Sequence, residues 1–123
     1  MQVVTTNRAR GAIGPYSQAV MMNNTLFVSG QLGIDAVSDV MPDDFKEQAN
    51  LVFNCLKAIL DAAGMGFGHV VKVTIYITDM DNFAILNELY TQRFCMPYPA
   101  RETVEVSRLP KNAKVEISLI AMR

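Results

Sequence analysis

Arg101 and Glu116 are the two residues of this 123-residue chain whose types and setting best suit chemistry on a small molecule. The segment from Tyr98 to Ile117 reads as a β-hairpin: an apolar-alternating run, a turn around Pro110, then a second run. Arg101 stands at the mouth of the first strand and Glu116 within the second, so hairpin pairing would hold a cation and a carboxylate in one small region. A guanidinium presents a planar fork that matches a carboxylate in a bidentate way, and its charge does not titrate away. A glutamate can aim a water molecule and accept its proton. The pair therefore suits a small substrate that carries a carboxylate to anchor. By themselves the two residues read first as solvated strand side chains.

The remaining chemistry-bearing residues form no second constellation. His69 is the only histidine, so no histidine pair is available, and it reads as a loop residue before a strand. Asp43, Asp44, Asp79 and Asp81 sit where helices and turns begin, which is the place for caps rather than metal ligands. Cys55 and Cys95 lack metal or redox spacing and read as reduced thiols. The eight methionines show no period. Gly64-Met65-Gly66-Phe67-Gly68 leads into a strand, not a helix, and so fails as a phosphate cradle. A formal net charge of -1 gives no electrostatic footprint for nucleic acid. No stretch approaches the ~20 apolar residues of a membrane span. The N-terminus has no charged segment followed by an apolar run, and the expectation is a single cytoplasmic domain over residues 1–123.

Periodicity supplies the elements that must position Arg101 and Glu116. Residues 2–5 suit a short edge strand, and Asn23-Asn24 a two-residue turn between strands ending near Met22 and Gly30. Phe45, Ala49, Val52, Leu56, Ile59, Leu60 and Ala63 form one apolar stripe, which predicts a helix over 44–63 started by Asp44 and stopped by Gly64. Val71, Val73, Ile75 and Ile77 alternate with polar residues as in a strand. A second helix over 81–94 places Phe83, Leu86, Tyr90 and Phe94 on one side. The order β-β-β-α-β-α-β-β predicts a two-layer α+β domain with both helices on one face of a mixed sheet. Phe27, Tyr76, Glu116, Ser118 and Ile120 then fall on the other face, a candidate surface for self-association.

Five blocks carry a resemblance beyond these patterns. Gly14-Pro15-Tyr16-Ser17-Gln18-Ala19, Phe27-Val28-Ser29-Gly30-Gln31, Asn87-Glu88-Leu89-Tyr90, Pro99-Ala100-Arg101, and Arg108-Leu109-Pro110-Lys111 with Val115-Glu116-Ile117 occur in order along nearly the whole chain. Together they resemble the Rid family of reactive imine/enamine deaminases, also known as the YjgF-type or endoribonuclease L-PSP family. The resemblance implies a chorismate-mutase-like subunit, a homotrimer with clefts between subunits, and hydrolysis of 2-imino acids such as 2-iminobutanoate and 2-iminopropanoate to 2-keto acids and ammonia, without metal or cofactor. It implies that Arg101 anchors the substrate carboxylate, that Glu116 positions the water, and that the backbone carbonyl of Thr103 holds it. It also implies that Tyr16, Ser29, Gly30 and Asn87 line the cleft. No membrane or nucleic-acid partner is expected.

The chain departs from that family's pattern at four places. Thr103 stands where many members have cysteine, and Ser118 where a second glutamate is common. Glu102 replaces a small residue and is expected to add negative charge beside the carboxylate anchor. The loop from Ala36 to Met41 lacks the usual glycine turn. Two other readings stay open: a module that binds a small carboxylate without catalysis, and a ribonuclease or translation inhibitor.

Overall fold

In the computed structural model, which describes residues 1–123, the strands are β1 (Gln2–Val4), β2 (Ala19–Met22), β3 (Thr25–Leu32), β4 (Val70–Ile77), β5 (Ala100–Glu105) and β6 (Val115–Met122). The helices are α1 (Phe45–Ala62) and α2 (Phe83–Thr91). One sheet joins all six strands in the order β1-β2-β3-β6-β4-β5, antiparallel throughout except for the parallel pair β4–β5. This is the α+β architecture expected from the sequence, with the helices packed on one face around a core of 26 buried residues.

Local chemistry fixes the element ends. Asn23 and Asn24 take φ values of 51° and 61°, so the β2–β3 turn is the left-handed pair that matches strand twist. The Asp44 carboxylate accepts the Glu47 amide at 3.1 Å and starts α1. The second helix is shorter than its apolar period suggested. Asp79 accepts the Asp81 amide and opens a 3-10 turn over Met80–Asn82, and α2 itself ends at Thr91. Phe94 still packs as expected, stacking on Tyr90 with ring centroids 4.4 Å apart.

The expected Tyr98–Ile117 hairpin does not form. β6 inserts between β3 and β4, and β5 pairs only with β4. The reason lies in the two strands' composition. Val115, Ile117, Leu119 and Ala121 are all buried, which suits a central strand with neighbours on both sides. β5 carries Arg101, Glu102 and Glu105 and is largely exposed, as an edge strand tolerates. Gln48 secures the start of β6. Buried on α1, it donates to Pro42 O at 2.8 Å and accepts the Lys114 amide at 2.9 Å.

Alternation settles the faces. Val73, Ile75 and Ile77 of β4 are buried beneath the helices, so Lys72, Thr74 and Tyr76 occupy the opposite face. Phe27 lies across from Ile120, Thr74 from Ser118, and Tyr76 from Glu116, which assembles the open face as the sequence indicated. Nothing in the chain covers it: Phe27 and Val104 remain 46% and 43% exposed. No helix is long and apolar enough to cross a membrane.

Candidate active site

Arg101 aligns with Val73 in the β4–β5 ladder and so turns toward the helix layer. Its Nη1 donates to Asn87 Oδ1 at 2.8 Å, and its guanidinium carbon sits 4.7 Å from the Tyr90 ring centroid and 5.7 Å from that of Phe83. Stacking of this kind contributes ~0.5–2 kcal/mol and removes the rotamer freedom that a carboxylate would otherwise have to freeze. The other guanidinium donors have no protein acceptor. Asn87 therefore orients the fork while leaving it open. Nearby, the Tyr90 hydroxyl and Thr103 Oγ1 are buried without a hydrogen-bond partner. Burial pushes the Tyr90 hydroxyl up in pKa, and the Arg101 charge offsets part of that rise. Thr103 lies on the edge strand, part of whose backbone polar groups have no strand to pair with.

Glu116 occupies the other face. It pairs across the sheet with Tyr76 on one side and Leu32 on the other. The β3–β6 register slips between Val28 and Gln31: three steps along β3 match two along β6, leaving a bulge at Ser29–Gly30. A Cβ on Gly30 would stand 2.8 Å from Glu116 Cδ, so only glycine leaves space for the carboxyl there. Ser29 Oγ donates to Ser17 O at 2.6 Å and ties the bulge to the Tyr16–Ser17 loop. Burial, with no compensating charge, raises the Glu116 pKa above the ordinary carboxylate value. The carboxyl opens onto a cleft of about 570 Å³, also lined by Tyr16, Ser29 and Gly30.

Two expectations need correcting. Arg101 and Glu116 do not share one region of the chain: β4 separates their strands, and they lie on opposite faces of the sheet. The residues expected to form the site fall into two groups, Arg101, Asn87 and Thr103 at the β5 edge and Glu116, Gly30, Ser29 and Tyr16 in the cleft. Nor does Glu102 burden the anchor. It points away from Arg101 and pairs with Lys72 at 2.7 Å, which holds its carboxyl below the usual range.

Some of the scaffolding around the cleft escaped the sequence reading. Gln18 is buried and clamps the N-terminal loop, accepting the Thr6 amide at 2.8 Å and donating to Thr6 O and Arg10 O at 3.1 and 2.8 Å. That loop forms one wall of the cleft. In the loop lacking glycine, Asp39 takes the left-handed conformation at φ 58°, and the Asp35 carboxylate accepts the Val37 and Ser38 amides. His69 accepts the Gly66 amide at Nδ1 and closes a turn. Cys55 and Cys95 are free, the first buried and the second exposed.

A mixed sheet backed by two helices, with an oriented guanidinium at its edge and a half-buried carboxyl over a glycine bulge, defines a small α+β domain with two separate polar sites. Comparison with known proteins narrows this class to a family. The family described as Endoribonuclease L-PSP matches residues 6–123, and the chain belongs to it. RidA from an Antarctic Psychrobacter is 44% identical and superposes with a TM-score of 0.97 over the full length of both chains. The crystal structure of Escherichia coli TdcF with bound serine is 42% identical, with a TM-score of 0.95 over 100% of this chain and 99% of that one. The 2-iminobutanoate/2-iminopropanoate deaminase of Bos taurus is 41% identical over 99% of this chain and 90% of its own length.

Proposed function

We propose that this protein hydrolyses short 2-imino acids, 2-iminobutanoate and 2-iminopropanoate among them, to 2-keto acids and ammonia. The cleft is completed between copies of the chain in a cytoplasmic homotrimer: Arg101, Asn87 and Thr103 come from one subunit, and Glu116, Gly30, Ser29 and Tyr16 from its neighbour. The observation that carries this reading is the division itself. An oriented, open guanidinium on one face and a half-buried carboxyl on the other are each half of an imino-acid site. The naming of the bovine relative supports the reaction, and serine bound to TdcF supports a small ligand with a carboxylate.

The chemistry follows from the residues. Arg101 takes the substrate carboxylate in a bidentate pair. A water, held between the Thr103 carbonyl and Glu116, adds through its oxygen to C2 of the protonated imine, and its proton passes to Glu116. The tetrahedral adduct receives that proton on nitrogen, and the C2–N bond breaks as the adduct's hydroxyl returns its proton to Glu116. C2 becomes the keto carbon, and the departing ammonia takes up that last proton. The raised pKa of Glu116 makes it a stronger base than an exposed glutamate. Positioning supplies the rest of the acceleration.

The test generates 2-iminobutanoate in situ and follows keto-acid formation. Wild-type protein accelerates it, and Arg101→Ala weakens substrate binding by about 1.5–3 kcal/mol. No acceleration at any chain length would exclude the reaction. Serine in TdcF also favours a second reading, a non-catalytic sensor of small carboxylates. In that case Glu116→Ala retains ligand binding and there is no catalysis to lose.

A further inference from the structure

The Glu116 cleft holds more positive charge than a short alkyl imino acid can use. Arg10 and Lys111 both line it. Arg10 is three-quarters buried and its Nε donates to Asp39 Oδ1 at 3.1 Å, yet neither terminal nitrogen of its guanidinium meets a protein acceptor. Lys111 is in no ion pair, and it adopts a left-handed backbone at φ 59° and ψ 24°. A lysine in that conformation is strained, and such strain gathers at functional positions. Neither cation forms an ion pair with Glu116.

Resting on the reaction proposed above, we propose that Arg10 and Lys111 form a second anion subsite, which takes the side-chain carboxylate of an acidic 2-imino acid. The α-carboxylate binds the neighbour's Arg101, C2 faces Glu116, and the side chain runs along the cleft to the two cations. Asp39 acts as a positioning residue, orienting the Arg10 fork through Nε and leaving both Nη atoms for the ligand. The reaction is the same hydrolysis: water adds at C2, the C2–N bond breaks, ammonia leaves, and the second carboxylate is unchanged.

The experiment compares the imines of glutamate and 2-aminobutyrate, each formed in situ by oxidation of the parent amino acid, in wild type, Lys111→Gly and Arg10→Leu. Lys111→Gly is the cleaner variant, because glycine accepts the left-handed conformation without strain and keeps the fold. Calorimetric binding of the two product keto acids, 2-oxoglutarate and 2-oxobutanoate, gives a readout independent of catalysis. Each variant is expected to lower kcat/KM for the acidic imine and affinity for 2-oxoglutarate about tenfold, while both 2-aminobutyrate-derived ligands stay within about twofold. Wild type that accelerates the alkyl imine but not the acidic one leaves the reaction standing and overturns the subsite. Equal losses on both substrates also overturn it, since they mark a structural role. Acceleration of neither imine removes the reaction and the subsite with it.

Discussion

Gly30→Ala isolates the geometry of the proposed water-activating half-site. The new methyl carbon would stand 2.8 Å from Glu116 Cδ and 3.0 Å from both Cγ and Oε2. These atoms are the far end of a flexible side chain, and Gly30 does not occupy the left-handed region, so the backbone accepts alanine and the carboxyl gives way. Displacement by roughly 1 Å costs about 100-fold in rate where positioning matters, within the ~10²–10⁴-fold range for a general base. The expected outcome is a fall in kcat of about 100-fold with KM changed less than about threefold, because Arg101 lies in the other half-site. Single-turnover formation of 2-oxobutanoate measures the first quantity and urea denaturation checks the fold. Moving the carboxyl into water also brings its raised pKa back toward the ordinary value, so the acid limb of kcat/KM shifts to lower pH. An unchanged kcat, or a loss of rate that tracks a loss of stability, would refute the positioning of Glu116 over Gly30.

Three further outcomes are expected. Tyr90→Leu removes the ring beneath Arg101 and raises KM for 2-imino acids about fivefold at similar kcat, whereas Tyr90→Phe keeps the ring, deletes a buried unpartnered hydroxyl and retains KM. Gln48→Leu leaves Pro42 O and the Lys114 amide unpaired and destabilises the fold by about 2–4 kcal/mol in urea denaturation. Glu116 has a folded pKa raised above its unfolded one, so the native state binds the extra proton. Its contribution to stability is full below the unfolded pKa and is lost as pH rises through the folded pKa, and thermal melts of Glu116→Gln lack that step.

The sequence made face and period legible but left strand neighbours hidden. Alternation correctly sent Phe27, Tyr76, Glu116, Ser118 and Ile120 to the open face, since side-chain direction repeats every two residues whatever lies alongside. Adjacency suggested that β5 and β6 pair, yet hydrogen-bond partners are set by which strand can tolerate an edge, and β6 is too apolar for one. The same parity separates Glu102 from Arg101, because consecutive strand residues point to opposite faces. The clamping roles of Gln18 and Gln48 stayed hidden because a polar residue beside apolar ones reads as solvent-facing until its backbone partners are seen. Asp39 took the place of a missing glycine for a similar reason: its left-handed conformation depends on the Asp35 turn around it.

The proposed division of the site between subunits is tested most directly by mixing two variants, each expected to be inactive. Arg101→Ala and Glu116→Ala subunits are unfolded together in equal amounts, refolded and assayed on 2-iminobutanoate. In a site built from one subunit's Arg101 and its neighbour's Glu116, about one interface in four regains both groups, so activity returns to about a quarter of wild type. A refolded mixture no more active than the two variants assayed separately would contradict the shared cleft.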